Sequence, residues 1–280
     1  MKKIFFFFVF LISVFMGTAQ NENTIQLLIR ADDIGSFHAA NVGCIESYQN
    51  GIARSVELMP TCAWFPEAVQ LLNENPGYDV GIHLTLTSEW SSVKWRPLTH
   101  CLGLVDADGY FFPMVWKNPN FPPGSSISES EWKLEEMEQE LRAQIELSLK
   151  HLPHISHLSS HMGFTSLDPK IGELVNRLAK EYGLEVKTEG LQRFQGWGRD
   201  VPMEQRIDKF CENLKKLTPG KYLFVEHPAK DTDEMKTVGH KGYENVGLDR
   251  EWVTRVFTSE KVKQTIKQKG IQLISYKDLK

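Results

Sequence analysis

Residues 25–35 have the sequence IQLLIRADDIG, in which an apolar run leads into two adjacent acids, Asp32 and Asp33. A helical pattern follows directly. Because side chains alternate across a strand, neighbouring acids at a strand end are expected to point in different directions. The two carboxylates can then perform different tasks, one binding a cation and the other moving a proton.

Strand-like and helix-like segments alternate on the C-terminal side of this stretch. Apolar positions from residue 39 to residue 48 recur at helical spacing, and Asn50-Gly51 marks the end of that helix. Two later helix starts are indicated by a capping box at residues 128–131 and by Asp168 followed by Pro169. Further strands are predicted at residues 55–59, 79–86, 155–158, 184–187, 222–225 and 271–275.

Seven strands that alternate with helices imply a mostly parallel sheet. The first strand is not followed by a G-x-G-x-x-G motif, which argues against a dinucleotide-binding fold. We therefore predict a single-domain distorted (β/α) barrel of about seven parallel strands. Residues 88–126 form a long connection rich in aromatic residues and proline, and connections of this length are often binding loops or lids.

Residues 1–19 are predicted to be a signal peptide. A charged start precedes an apolar core that is too short to span a bilayer, and the small residues 17–19 follow it. We expect an exported protein, periplasmic or secreted, whose domain covers residues 20–280 and which keeps no membrane span after cleavage. An uncleaved membrane anchor is the alternative.

Composition excludes some classes of partner and site. The net charge is −4, which gives no indication of a nucleic-acid partner. The four cysteines are scattered without a C-x-x-C pair, which argues against a structural zinc site, and their spacing does not determine disulfide pairing. They are Cys44, Cys62, Cys101 and Cys211.

Acids and histidines recur where the predicted strands end. In parallel α/β architectures the C-terminal ends of the strands meet on one face, because the following loops all open there. An active site is therefore expected at this face. The residues at these positions are Asp32, Asp33, Glu57, His83, His157, His161, Lys187, Glu189, Glu226 and His227.

Three of the histidines are candidate ligands of a metal ion. His83 interrupts an apolar strand, and taken alone such a histidine is more often a satisfied core residue. One carboxylate with two imidazoles, however, is a common ligand set for a divalent metal that keeps positions open for water and substrate. His157 and His161 would lie about 13 Å apart on an unbroken strand, so both can bind one ion only if the chain turns between them.

Several of these segments together resemble the YdjC-like carbohydrate deacetylase family, which includes chitooligosaccharide and hopanoid-associated deacetylases. The resemblance runs in order over nearly the whole chain after the predicted signal peptide. It rests on residues 30–35 with Asn41, Asn50-Gly51-Ile52, Gly81-Ile82-His83-Leu84-Thr85, residues 156–161 (SHLSSH) and Glu226-His227-Pro228.

The resemblance implies a polysaccharide-deacetylase-like barrel that binds one divalent cation, magnesium or zinc. By position it places the metal on Asp33, His83 and His161, with Asp32 as catalytic base. It also makes His227 a candidate proton donor to the leaving group. His157 becomes a residue that either contacts a metal ligand or faces the substrate. The chain departs from the family where Ser159 replaces the usual Asp and Gly163 the usual His, and such changes around a metal alter its affinity and the orientation of its ligands.

The activity implied is metal-dependent removal of N-acetyl groups from the amino sugars of small, chitooligosaccharide-like carbohydrates, with release of acetate. The cation would polarise the amide carbonyl and activate a water, and the base and acid would move the protons. The alternatives are a metal-dependent esterase or phosphodiesterase on the same barrel, and a catalytically silent glycan-binding protein.

Four more residues are candidates for contacts with substrate or with the site residues. Trp90 and Trp95 either form an apolar platform for a sugar ring or pack as part of a lid on the barrel mouth. Glu57 either hydrogen-bonds within the site or belongs to a buried pair, and Glu226 accompanies His227. The expected partner is a small carbohydrate. A homo-oligomer is compatible with the sequence, which does not determine the oligomeric state.

Overall fold

The computed structural model describes residues 23–198 and 200–280. The predicted signal peptide, residues 1–19, lies outside the described residues. The strands are β1 (Ile25–Ile34), β2 (Ser55–Leu58), β3 (Val80–Leu84), β4 (His157–Ser160), β5 (Leu191–Arg193), β6 (Gly220–Glu226) and β7 (Ile271–Ile274). The α-helices are α1 (His38–Gln49), α2 (Phe65–Asn73), α3 (Leu134–His151), α4 (Pro169–Glu181), α5 (Arg206–Lys216), α6 (Val246–Thr258) and α7 (Glu260–Lys269).

The seven strands form one sheet in the order β4-β3-β2-β1-β6-β5, with β7 paired to β1. Every pairing is parallel. β1 is the central strand. It pairs with β6 from Ile25 to Ala31, and it also pairs with β7 in its first half and with β2 in its second half. The predicted distorted barrel of seven parallel strands is confirmed as a half-barrel, whose paired strands end at β4 on one side and at β5 on the other.

The sheet is covered on both faces, which explains why its strands read as nearly continuous apolar runs. In β1, Leu27, Leu28 and Ile29 are all fully buried. α4 begins as predicted, with Pro169 as its first residue and the Asp168 side chain accepting a hydrogen bond from the Lys170 amide at 2.9 Å. Among the described residues, no helix is both long enough and apolar enough to cross a membrane.

The predicted capping box at residues 128–131 is wrong. Residues Ile127–Glu129 form a short 3-10 helix, and α3 begins only at Leu134, without a side-chain cap. The reason is that the hydroxyl groups are used elsewhere. Ser128 accepts from the Lys117 amide at 3.2 Å, and Ser130 donates to the Gly103 and Ile127 carbonyls, so these side chains close the turn before the helix.

The predicted strand at residues 184–187 is also wrong, because β5 comes later, at Leu191–Arg193. The Leu184 amide donates to the Ala179 carbonyl at the end of α4, and the Lys187 amide donates to the Leu279 carbonyl near the C-terminus. The segment is therefore held by α4 and by the 3-10 helix Tyr276–Leu279, and not by the sheet. Lys187 and Glu189 consequently do not lie at a strand end.

The long connection between β3 and α3 packs over the barrel mouth. Trp95, Leu104 and Phe111 within it are buried in the main core. The Ser88 amide donates to the Phe112 carbonyl at 2.9 Å, and the Trp95 indole donates to the Thr87 carbonyl at 2.6 Å. The connection is thus a fixed layer of the fold. All four cysteines are buried and free, which answers the question that their spacing left open.

Candidate metal centre and its surroundings

The two acids of β1 face the same histidine. Asp32 Oδ2 and Asp33 Oδ1 each lie 3.6 Å from His83 Nε2. The expectation that neighbouring acids point in different directions is therefore wrong here. The register of β1 against β2 shifts between Ala31 and Ile34, and Asp33 has a φ of 75°, so the regular alternation of the strand is interrupted at these two acids.

A left-handed backbone at a residue with a side chain is costly unless its surroundings hold it in place. Here the loop after Asp33 is held by Asn41, whose side-chain oxygen accepts from the Gly35 amide at 2.6 Å. The Asn41 amide nitrogen in turn donates to Glu67 at 2.7 Å. The Asp33 carbonyl accepts from the Ser36 amide at 3.1 Å. This network fixes the direction of the Asp33 carboxylate.

Asp33, His83 and His161 come together as the sequence predicts, and their candidate ligand atoms lie within 4.8 Å of one another. Asp33 Oδ1 is 3.6 Å from His83 Nε2 and 3.5 Å from His161 Nδ1. All three side chains are almost fully buried. The chain turns out of β4 after Ser160, so His161 faces this cluster although His157, on the strand, does not.

The cluster has the features of a cation site. Asp33 Oδ1 and His161 Nδ1 are buried and have no hydrogen-bond partner, which is costly for polar atoms removed from water. Tetrahedral ligands at 2.0–2.2 Å from one ion are separated by roughly 3.3–3.6 Å, which matches the two distances. One carboxylate and two imidazoles could therefore hold a divalent cation here.

The charges around the cluster favour an ionised Asp33. Burial alone would raise its pKa, but Arg250, whose Nη2 lies 2.8 Å from Asp33 Oδ2, and the nearby His227 hold that pKa well below its usual range. The remaining oxygen of Asp33 is the one aimed at the two histidines. Arg250 thus leaves one carboxylate oxygen for an ion while it neutralises the other.

Without a bound cation, the pKa values of the two histidines shift in opposite directions. Burial lowers the pKa of His83 to about 4, so its ring is neutral and keeps a lone pair at neutral pH. Burial also opposes the charge of His161, but Glu89 and Asp33 outweigh it and raise the pKa of His161 to about 10. His161 Nε2 lies 3.1 Å from Glu89 Oε2, and a carboxylate behind a histidine is a common arrangement at metal sites.

Asp32, the predicted base, lies beside this cluster and is held by Arg30. The guanidinium donates to both carboxylate oxygens, at 2.7 and 2.8 Å. A carboxylate has about four lone-pair positions, so each oxygen can still accept a second hydrogen bond. Asp32 is 2% exposed, so its carboxylate is almost completely removed from bulk water.

His227 and Glu226 lie at the end of β6, where the following loop begins. The His227 side chain is 38% exposed, and its Nδ1 lies 3.8 Å from Glu226 Oε2. Burial opposes its protonation, but the charge of Asp33 and the contact with Glu226 raise the pKa of His227 above its ordinary value. A partly exposed imidazole with a raised pKa near the cluster is suited to donating a proton.

Glu57 and His157 form a fully buried pair, with His157 Nε2 2.9 Å from Glu57 Oε1. His157 is therefore not substrate-facing, which removes one of its two predicted roles. Trp90 and Trp95 are 2% and 5% exposed, so the predicted open sugar platform is wrong and the packing alternative describes them. Their faces are occupied because Trp90 stacks on His240 and Trp95 contacts Phe37.

Sequence reasoning missed Arg250 and did not assign Arg30 or Glu89 to the cluster. The signal for Arg250 was its place in α6, where it lies on the same buried stripe as Val246, Val253 and Phe257. An arginine on an apolar stripe requires a buried partner. The identity of that partner, Asp33, depends on a contact between the first strand and the sixth helix that no local pattern indicates.

Comparisons with known proteins agree with this architecture. The profile of the YdjC-like protein family matches residues 26–268. Carbohydrate deacetylase 2 of Listeria innocua is 26% identical over 272 residues, which cover 91% of this chain and 99% of the relative. The carbohydrate deacetylase of Clostridium beijerinckii is 29% identical over 267 residues, which cover 91% of this chain and all of the relative.

Among solved structures, a candidate cellobiose-phosphate cleavage protein from Enterococcus faecalis V583 is 25% identical to this chain, with a TM-score of 0.73. The superposition covers 91% of this chain and 99% of that one. The family match extends from β1 into α7 and includes every residue of the candidate centre, and this chain belongs to the YdjC-like protein family.

Proposed function

We propose that this protein is a metal-dependent hydrolase that removes N-acetyl groups from the amino sugars of small carbohydrates. The observation that carries the proposal is the convergence of Asp33, His83 and His161 beside a second carboxylate, Asp32. The names of the curated relatives, which are carbohydrate deacetylases, support the same reaction class. Two imidazoles among the donors favour zinc or a similar transition metal over magnesium.

A divalent cation held by Asp33, His83 and His161 would supply Lewis-acid polarisation of the amide carbonyl and a lowered pKa for water. Asp32 would accept a proton from the water while the oxygen of that water forms a bond to the carbonyl carbon. Arg30 keeps that carboxylate in place through its two hydrogen bonds.

His227 would donate a proton to the amide nitrogen as the carbon–nitrogen bond breaks, which gives acetate and a free amino sugar. The raised pKa of this residue keeps the acid form populated to a higher pH than in a free histidine. Its partial exposure lets it reach a leaving group that enters from solvent.

The proposal is tested by measuring acetate released from di- and tri-N-acetylchitooligosaccharides, with zinc added or with a chelator. Because the Enterococcus structure is named for a phosphorylated disaccharide, the series should include the 6-phosphate of diacetylchitobiose. We expect acetate release that depends on the cation. Asp32→Asn should abolish release while the cation still binds, and His161→Ala should lose both.

The matched control is His151→Ala, which removes an exposed histidine at the end of α3. It should leave both acetate release and cation binding unchanged. Acetate release that persists in Asp32→Asn and His161→Ala would exclude the proposed site. Release from aryl esters but from none of the amides would favour an esterase instead.

We also propose that the protein is exported and that residues 1–19 are removed. The support is the charged start followed by an apolar core and small residues. Expression of the full chain, followed by fractionation and N-terminal sequencing, tests this. A product that retains Met1 and remains with the cytoplasmic fraction would contradict it.

A further inference from the structure

A continuous hydrogen-bonded chain leads from Asp79, at the start of β3, to His83. Its members in order are Asp79, Ser156, His157, Glu57, Ser159 and His83. We propose that Ser159 and Glu57 are positioning residues, which set the tautomer of His83 so that its Nε2 is free to bind the cation. The inference rests on the metal site of the proposed function and assigns the side chains that prepare it.

The hydrogen-bonded chain passes from β2 to β4 over the strand between them, β3. Gly81 of β3 makes this possible because it has no side chain. Glu57 of β2 pairs with Gly81 of β3, and Gly81 pairs with His157 of β4. Residues two strands apart are separated by roughly 9–10 Å, yet Glu57 Oε1 and His157 Nε2 meet at 2.9 Å. A Cβ on Gly81 would overlap both groups. Glu57 and His157 therefore occupy the space that a side chain at residue 81 would fill.

The number of protons available fixes which atoms donate in the hydrogen bonds between Glu57, Ser159 and His83. Ser159 Oγ lies 2.5 Å from Glu57 Oε2 and 2.8 Å from His83 Nδ1. An ionised carboxylate can only accept, so the single hydroxyl proton of Ser159 goes to Glu57. Ser159 must then accept from His83, which places the ring proton on Nδ1. The lone pair of His83 is left on Nε2, the atom that faces Asp33.

The other end of the hydrogen-bonded chain has a similar arrangement, with a serine between a carboxylate and a histidine. Ser156 Oγ lies 2.5 Å from Asp79 Oδ1 and 2.7 Å from His157 Nδ1. The Ser156 hydroxyl thus joins Asp79 to His157, whose other ring nitrogen contacts Glu57.

The C-terminal segment encloses this arrangement. The Tyr276 amide donates to the second oxygen of Asp79 at 2.7 Å, and its ring stacks on His157 with centroids 3.8 Å apart. Asp79, Glu57 and His157 are at most 1% exposed. Water is therefore excluded from these three side chains, and the links that join them depend on the side chains named here.

A network that only stabilised the fold would not depend on which nitrogen of His83 carries the proton. The first readout is therefore the His83 tautomer in metal-free protein, measured from the ¹⁵N shifts of its ring nitrogens. We expect wild type to hold the Nδ1–H form. Ser159→Ala should give a mixture of the two neutral tautomers, and Ser159→Thr, which keeps the hydroxyl, should restore the wild-type spectrum.

The second readout is the affinity for Co²⁺, followed by titration calorimetry and by the visible spectrum of the bound ion. Loss of an outer-shell partner typically costs 10–100-fold in metal affinity, and we expect about that loss in Ser159→Ala and in Glu57→Gln. Ser160→Ala is the matched control, since it removes a hydroxyl from the same strand. In the described structure this hydroxyl hydrogen-bonds to Thr165 and not to the cluster. The control variant should bind Co²⁺ as wild type does.

The outcomes separate this inference from the proposed function. If Ser159→Ala keeps both the wild-type tautomer and the wild-type affinity, the positioning role is overturned while the deacetylase reaction stands. If wild type binds no Co²⁺, the metal-dependent function fails, and the tautomer measurement still decides the role of Ser159. Thermal unfolding of each variant shows whether a lost affinity reflects a lost fold.

Discussion

The two carboxylate oxygens of Asp33 have different partners. One contacts the Arg250 guanidinium, and the other is available to the candidate metal ion. Oδ2 accepts from Arg250 at 2.8 Å, while Oδ1 is buried without a hydrogen-bond partner. Arg250 also lies over the Trp90 ring, 5.3 Å from its centroid, so the aromatic layer at the mouth is linked to the charge of the cluster. Removing the arginine would leave a buried carboxylate without its counter-ion.

We therefore predict that Arg250→Met lowers the free energy of unfolding of the metal-free protein by about 3–5 kcal/mol, because a buried charge loses its partner. Saturating zinc should restore part of that loss by neutralising Asp33. Urea unfolding with and without zinc measures both effects. Arg255→Met on the same helix removes a 52% exposed arginine and should cost less than about 1 kcal/mol. Equal losses in both variants would contradict the role given to Arg250.

The raised pKa of His227 predicts the alkaline side of the pH profile. The acid form is the one that donates, so activity should be present below the raised pKa and fall as pH rises through it. In His227→Gln, kcat should fall about 100-fold and this alkaline decline should disappear. The measurement is kcat/KM against pH for both proteins, with His38→Gln as an exposed control. An alkaline limb that is unchanged in His227→Gln would assign the acid to another group.

Among the secondary-structure elements, β3 sets how closely the side chains of its two neighbours approach. It supplies His83 to the cluster and, two residues earlier, a glycine that leaves room for Glu57 and His157. β1 contributes differently, since its irregular end turns Asp32 and Asp33 toward His83. β3 makes room for the side chains of its neighbours because Gly81 has no side chain, whereas β1 orients its two acids because its backbone is irregular there.

Gly81→Ala is expected to be strongly destabilising, because its Cβ would overlap both Glu57 and His157 in a closely packed strand. Overpacking typically costs about 1–3 kcal/mol, and here a buried hydrogen bond is broken as well. Urea unfolding should show the loss, and Co²⁺ affinity should fall with it. Gly77→Ala is the control, since a Cβ there meets nothing within 4 Å. Two variants of equal stability would show that the strand adjusts.

Across the whole molecule, the candidate ligands join parts of the chain that are distant in sequence. Asp33 lies at the end of β1, His83 in β3, and His161 directly after β4. A cation bound there would tie one edge of the half-barrel to its centre. Because the unfolded chain has no such site, binding to the folded state must add to its stability.

A cation at about 100 times its Kd should therefore raise the free energy of unfolding by about 2.7 kcal/mol. The test compares urea midpoints in zinc and in chelator for wild type and for His161→Ala. We expect a shift in wild type and none in the variant. A shift of equal size in His161→Ala would place the bound ion elsewhere, and no shift in wild type would leave the cluster without a structural ion.

Much of the fold and of the site follows from local patterns. The alternation of apolar and helical segments predicted seven parallel strands. Acids and histidines at strand ends predicted where the site lies, and the family resemblance selected the three side chains that meet. The errors were local as well. Residues 184–187 have the composition of a strand but bond to the end of α4 and to the C-terminal 3-10 helix, and residues 128–131 have the letters of a capping box whose hydroxyls are used in a turn.

The amino-acid sequence by itself determined the barrel class and the strand-end positions at which the site lies, because periodicity and strand-end chemistry are local properties of a chain. The resemblance to the YdjC-like family then selected Asp33, His83 and His161 among those positions. Only the tertiary structure decided that Asp32 and Asp33 face one histidine, that Arg250 neutralises Asp33, and that Glu57 reaches His157 across Gly81. Each of these depends on the distance between residues on different elements. Such distances are set by how the strands and helices pack, and no single segment contains them.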